Sequence, residues 1–266
     1  MRIHPLSDLH LGHIRFGDGE LNRSATTECY LGIDVLVAAG DIHVGTKAPG
    51  LLRRLYPSKR ILYVAGNHEY YGNRLDLLDD QLREECRRHD VDYLQCDSVE
   101  IDGVVILGCT LWTDFAAYAP VVSVSKAGRM TEGVLNDYRA IQTMSKSRGV
   151  PRRIRWQDTV EVHKRHRTWL EKEITCHRGK PLVIVTHHAP SLALCHPEYR
   201  NDPVTAAFCN RMGDFVEQCG ANYWICGHTH WPEQVRIGKT LVVNNSCGYP
   251  GELSGERYDP SLILEI

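Results

Sequence analysis

Five short polar clusters hold most of the residues in this chain that could do chemistry. They read Ser7-Asp8-Leu9-His10, Gly40-Asp41, Gly66-Asn67-His68-Glu69, Thr186-His187-His188 and Gly227-His228-Thr229-His230. Each alone reads as an ordinary turn. Together they offer oxygen and nitrogen donors of the kind that bind divalent transition-metal ions. Two such ions about 3.5–4 Å apart can clamp a phosphoryl group and hold a hydroxide between them. Their mutual repulsion calls for a bridging carboxylate, and Asp41 is the candidate. Asp8, His10 and His230 would complete the shell of one ion, and Asn67, His187 and His228 that of the other. A His-x-His pair in an extended or turning segment sends its imidazoles to different ions, whereas a helical His-x-x-x-His would serve one. Asn67 is neutral, which keeps the ions electrophilic. His68 follows a ligand and would face the substrate side. An imidazole with a pKa near ~6.5 can stabilise a phosphoryl transition state or protonate the leaving oxygen there. The expected catalytic pair is therefore His68 and Asp41, with Asn67, His68 and His43 facing substrate.

What must position these clusters is a set of short apolar runs. They lie at 2–8, 33–41, 60–68, 103–109, 181–188, 221–230 and 239–246, and their continuous apolar character suits strands buried on both faces. Helical patterns at 74–89, 156–176 and 205–219 alternate with them. That alternation predicts an α/β architecture, and every cluster follows a predicted strand, where open α/β sheets place their ligand sites. No linker or repeat interrupts the chain, so the expected division is one domain over 1–266 with a partly helical insertion at about 112–155.

Composition narrows the function classes. With 42% hydrophobic and 24% charged residues, the 266-residue chain has the make-up of a globular protein with a sizeable core. A net charge of −2 does not suit a nucleic-acid-coating protein. Apolar runs fall short of the ~20 residues of a membrane span, and the N-terminus reads as no secretory signal. Ten scattered cysteines without a CxxC pair point to reduced thiols in a cytoplasmic setting. Mixed His, carboxylate and amide donors accept manganese, iron, zinc or cobalt.

The ordered series Asp-x-His, Gly-Asp, Gly-Asn-His-Glu, His and Gly-His-Thr-His resembles the calcineurin-like metallophosphoesterase superfamily from residue 6 to residue 230. The resemblance implies a four-layer αββα sandwich with two mixed β-sheets flanked by helices. It also implies a dinuclear centre bridged by Asp41 and attack by a metal-bound hydroxide. Protein Ser/Thr phosphatases of the superfamily carry Asp-Arg-Gly after the second aspartate, where this chain reads Gly40-Asp41-Ile42-His43. The text looks more like the bacterial phosphodiesterase branch, which acts on cyclic nucleotides or other small diesters. Monoesterase and nuclease activities are the alternatives, and a non-catalytic scaffold on the same fold is a further one. The expected partner is a phosphate-ester substrate, such as a nucleotide, rather than a membrane or a stably bound nucleic acid. Secondary candidates near the motifs are His13, His188, His196, Asn245, Tyr249, Asp137, Tyr138 and Arg139, and a basic stretch runs from Lys146 to Arg167. Cys226 and Cys247 are read as packing residues.

Overall fold

The computed structural model describes residues 1–12, 32–252 and 256–266. Its central strands form where apolar side chains fill both phases of a two-residue period. One sheet has the order β13 (Leu264–Glu265), β1 (Arg2–Leu6), β2 (Val35–Ala39), β3 (Arg60–Val64) and β4 (Asp92–Tyr93). All its neighbours are parallel except β13 against β1. The other sheet runs β11 (Glu233–Ile237), β12 (Thr240–Asn244), β10 (Tyr223–Cys226), β9 (Leu182–Thr186), β6 (Val104–Cys109) and β5 (Asp97–Ile101). Its four central strands are parallel and its two edge strands antiparallel.

Alternation along these strands builds three cores at once, one between the sheets and one on each outer face. Val35, Val37, Ala39, Leu62 and Val64 of the first sheet meet Val104, Ile106, Val183, Val185 and Ile225 of the second. The opposite phase of the first sheet, Leu36, Ala38, Ile61 and Tyr63, packs under helices α1 (Ala48–Leu55) and α2 (Leu78–Arg88). The opposite phase of the second, Leu107, Ile184 and Trp224, packs with Leu170 and Val216 of α5 (Trp156–Cys176) and α6 (Gly213–Cys219). The result is two mixed sheets packed face to face, with helices on both outer faces. Among the described residues, no helix is long and apolar enough to cross a membrane.

The segment 112–155 carries helix α3 (Val124–Val134), the single helical turn α4 (Asp137–Ala140) and a hairpin of β7 (Gln142–Met144) with β8 (Pro151–Arg153). Helix α3 begins where the Ser123 side chain accepts a hydrogen bond from the Lys126 amide. It then lies close against α5, because a side chain at Gly128 would sit 2.5 Å from the Trp156 ring. Three backbone hydrogen bonds tie α4 and the start of β7 to the loop after β3: Gly72 N to Ala140 O (2.9 Å), Gln142 N to Asn73 O (3.0 Å) and Leu75 N to Gln142 O (2.8 Å).

One expected helix is broken. The pattern at 205–219 divides into a short 3₁₀ turn (Pro203–Ala207) and α6, which starts only at Gly213. Between them the buried Asn210 uses its amide and its backbone to bind the carbonyls of Trp112 (2.9 Å) and Ala189 (2.8 Å). Those contacts pull the chain out of helical register.

Candidate metal centre

The polar clusters converge where the two sheets present the C-terminal ends of β1, β2, β3, β9 and β10. Chain direction there is forced by backbone that L-residues rarely adopt. Asp8, His10, Asp41, His228 and His230 all have φ between 45° and 67°. Left-handed backbone costs a non-glycine residue about 1–2 kcal/mol, and five such residues together mark a site held by its surroundings. Gly40, Gly66 and Gly227 let the loops close in. A Cβ on Gly40 would meet His187 Nδ1 at 2.4 Å, one on Gly66 would meet Asp41 Oδ1 at 2.1 Å, and one on Gly227 would meet Asp8 Oδ2 at 2.5 Å.

Glu69 holds the loops in place. Fully buried, it accepts from the amides of Ile42 (2.8 Å) and His43 (3.2 Å) with Oε1, and from those of Gly66 (2.6 Å) and Asp41 (3.0 Å) with Oε2. It thereby ties the loop after β2 to the loop after β3.

The donors fall into three overlapping groups whose ligand atoms lie within 4.8 Å of one another: Asp8 with His10 and His230, His10 with Asp41 and His68, and Asp41 with His187 and His228. Asp41 is common to two groups and turns its oxygens to different sides. Its Oδ1 lies 3.4 Å from His187 Nε2, and its Oδ2 lies 4.0 Å from His10 Nε2 and 3.8 Å from His68 Nε2. His187 donates through Nδ1 to the Ala39 carbonyl (2.8 Å), which leaves Nε2 facing Asn67 Oδ1 (3.0 Å) and His228 Nδ1 (3.1 Å). His230 binds the Glu252 carboxylate through Nδ1 (2.7 Å), and its Nε2 faces His10 Nε2 at 2.9 Å. An imidazole fixed at one nitrogen by a carbonyl or carboxylate while the other faces further donors is the usual arrangement of a metal-ligating histidine.

Electrostatics favour positive charge in the same place. Burial works against ionising Asp8 and Asp41, yet both are held below the usual carboxylate range, Asp8 chiefly by His230 and Asp41 chiefly by His187 and His68. Burial would lower His187, but the Asp41 and Asp8 carboxylates raise it to about 9. Burial likewise opposes a proton on His230, and Asp8 and Glu252 raise it to about 10. His10 is lowered to about 4 by burial, and His228 is pushed well down by burial and by neighbouring imidazoles. The carboxylates thus draw positive charge onto His187 and His230, where a divalent cation would take the place of the protons, while His10 and His228 keep their lone pairs. These residues fit divalent cations.

A family model, described as calcineurin-like phosphoesterase, matches residues 1–232. The chain belongs to the calcineurin-like phosphoesterase family. Membership makes it a metal-dependent phosphoesterase, a hydrolase of phosphate esters. It is 25% identical over 282 residues to "Uncharacterized protein L509" of Acanthamoeba polyphaga mimivirus, covering 98% of this chain and 95% of the relative. Among solved structures, its fold is similar to that of phosphopantetheinyl hydrolase from Mycobacterium tuberculosis, with a TM-score of 0.72, 18% identity, and coverage of 99% of this chain and 95% of that one. A dimetal phosphatase from Danio rerio is a more distant match, with a TM-score of 0.51, 14% identity, and coverage of 91% and 86%.

Within this phosphoesterase, the seven expected ligands Asp8, His10, Asp41, Asn67, His187, His228 and His230 come together with His68. His43 stands apart from the cavity. After Asp41 turns inward the chain runs away from the centre, and the His43 ring bonds the Val44 carbonyl (2.9 Å) and lies against Gly12. His188 packs behind, its ring 4.2 Å from that of His228. Asn245 is a structural tie, donating to the carbonyls of Pro5 and Asp259. His13 lies outside the described residues. None of the described residues lining the cavity comes from the basic stretch, whose Arg152 is engaged bidentately by Asp158 (2.7 and 2.8 Å).

Tyr249 belongs to the centre. It stacks on His10 at 4.1 Å and brings its hydroxyl within 3.1 Å of His68 Nε2. Sequence reasoning missed Glu252 as the partner of His230 and Glu69 as the loop anchor. Glu69 had a signal, as the fourth residue of Gly-Asn-His-Glu; Glu252 sits in a loop and had none.

Proposed function

We propose that this phosphoesterase is a phosphodiesterase that hydrolyses small diesters at a two-cation centre. Asp8, His10 and His230 hold one ion, Asn67, His187 and His228 hold the other, and Asp41 lies between them with one oxygen toward each group. The ions supply Lewis acidity, neutralising charge on the phosphoryl oxygens and acidifying the attacking water. Manganese, iron, zinc and cobalt all suit these donors. Asn67 and His68 orient the phosphate from the cavity side. His68, with Nε2 near Tyr249 Oη, holds a proton for the leaving oxygen.

The observation that carries the diester reading is the cavity opening from the centre. It has a volume of about 620 Å³, and beyond the proposed metal-binding side chains its walls include Tyr71, Leu135, Tyr199, Val204, Phe208 and Trp231. That is room for organic arms on both sides of a phosphorus, against apolar and aromatic surface. The carboxylates of Glu198, Asp202 and Glu252 also border it. Acidic walls repel a dianionic monoester or a polyanionic strand more than a monoanionic diester.

The test is a panel under defined metals: aryl monoester, aryl diester, 2′,3′- and 3′,5′-cyclic nucleotides, a phosphopantetheinyl conjugate and single-stranded DNA. Faster turnover of a small diester than of the monoester is expected. Monoester turnover without diester turnover overturns the reading. So does DNA hydrolysis that falls steeply with salt, the mark of released counterions.

A further inference from the structure

Asn67 has a property the other candidate ligands lack: its side-chain amide can face either way, and only the oxygen binds a cation. One face of the amide is set by an acceptor. Asn67 Nδ2 donates to Asp137 Oδ1 at 2.8 Å, and this leaves Asn67 Oδ1 directed at the His187 group, 3.0 Å from Nε2. The reversed amide would press an oxygen against a carboxylate oxygen and turn its NH₂ toward the cation site. The same Asp137 Oδ1 accepts from the Tyr71 hydroxyl at 2.7 Å, and the Tyr71 ring stacks on the His68 imidazole at 4.3 Å. Asp137 is 5% exposed and stands in the first turn of α4, which the backbone bonds described above fasten to the loop after Asn67 and His68.

We infer that Asp137, contributed by the 112–155 segment, is the positioning residue that fixes the Asn67 amide with its oxygen toward the cation and seats Tyr71 beneath His68. The inference rests on the proposed ligand role of Asn67. It gives that segment a task in the centre itself, in addition to forming a wall of the cavity.

The test follows metal release from the holoprotein. Wild type, Asp137→Ala, Asp137→Asn and Asn67→Ala are loaded with manganese and equilibrated against graded chelator, and bound metal is counted per chain. Partners of this kind around a ligand change metal affinity by about 10–100-fold. Asp137→Ala should release one equivalent at about 10–100-fold lower chelator while the second stays as in wild type. Asp137→Asn, which keeps an acceptor oxygen, should stay within about threefold of wild type. A purely structural role would loosen both equivalents together and would not be rescued by asparagine; either result overturns the inference. Release from Asp137→Ala identical to wild type, with early release from Asn67→Ala, overturns it while leaving the ligand reading intact. If Asn67→Ala also holds both equivalents normally, the ligand reading falls and the inference falls with it.

Discussion

Glu69→Gln is the most demanding test of how the loops are held. The carboxylate serves four backbone amides, two on each oxygen. Glutamine has one acceptor oxygen, so its NH₂ must face two amide donors whichever way it turns. Each buried donor left without an acceptor costs about 1–3 kcal/mol, so two predict a loss of about 2–6 kcal/mol. One effect opposes this. Burial and the nearby Asp41 carboxylate push the Glu69 carboxyl up, so removing its charge relieves repulsion. That relief subtracts from the loss, since burial and Asp41 outweigh the His187 and backbone-amide contacts that favour the ionised form. Urea denaturation of the metal-loaded protein should show a lower midpoint with an unchanged slope. The midpoint should recover in part with excess metal, since cations that bind only the folded chain pull the equilibrium back. A Glu69→Gln protein within about 0.5 kcal/mol of wild type, the usual scatter of a neutral surface change, would show that the four amides do not depend on this side chain.

Asp41→Asn should lower kcat by about 10²–10³-fold, the usual loss when a preorganised charge in a dry site is removed, with reduced metal content by elemental analysis; full activity and full metal would refute its central place. Gly66→Ala should destabilise by about 1–3 kcal/mol, as overpacking does, and weaken metal retention, because the new methyl would lie 2.1 Å from Asp41 Oδ1. His166, on the buried face of α5, accepts from the Leu111 amide (3.1 Å) and is lowered to about 3 by burial. A histidine lowered on folding contributes stability that is present above its unfolded pKa and lost as pH falls. Between pH 7.5 and 5 this one group should cost about 2 kcal/mol, and denaturation of His166→Gln should lack that component.

The strands that reach the centre were legible because they are buried on both faces. Val35–Ala39 and Leu182–Thr186 are fully buried along their length, so their sequences are unbroken apolar runs. The edge strands were not. Asp97–Ile101 and Glu233–Ile237 alternate half-buried with exposed positions and are rich in charge, which reads as loop when no neighbour is known. Helix α3 hid for a different reason: its buried face is Ala127, Gly128 and Thr131, too small to make an apolar stripe. In the centre, residue types and spacing pointed to Asp41 because a carboxylate after a Gly turn is a local signal. Asp137 and Tyr249 reach Asn67 and His68 from 70 and 181 positions away, and such contacts depend on how the 112–155 segment and the last loop pack.

The strained backbone and the shared charge have one physical origin. To aim several side chains at one point from the ends of five parallel strands, the chain must turn sharply just after each strand. The positive φ of Asp8, His10, Asp41, His228 and His230 accompanies those turns. The folded chain also bears the cost of gathering two buried carboxylates, which burial alone would neutralise. Both costs are local, and both are offset by cations that bind the folded arrangement only. Removing the metal with a chelator should therefore lower the stability of the loops at the strand ends before that of the sheets. Hydrogen exchange would resolve the two. Amides at 8–11, 41–43 and 66–70 should lose protection in the stripped protein while Val37, Leu62 and Ile184 keep it. A uniform loss across loops and strands would mean that the centre and the sheets unfold as one unit, and that the strain is not confined to the site.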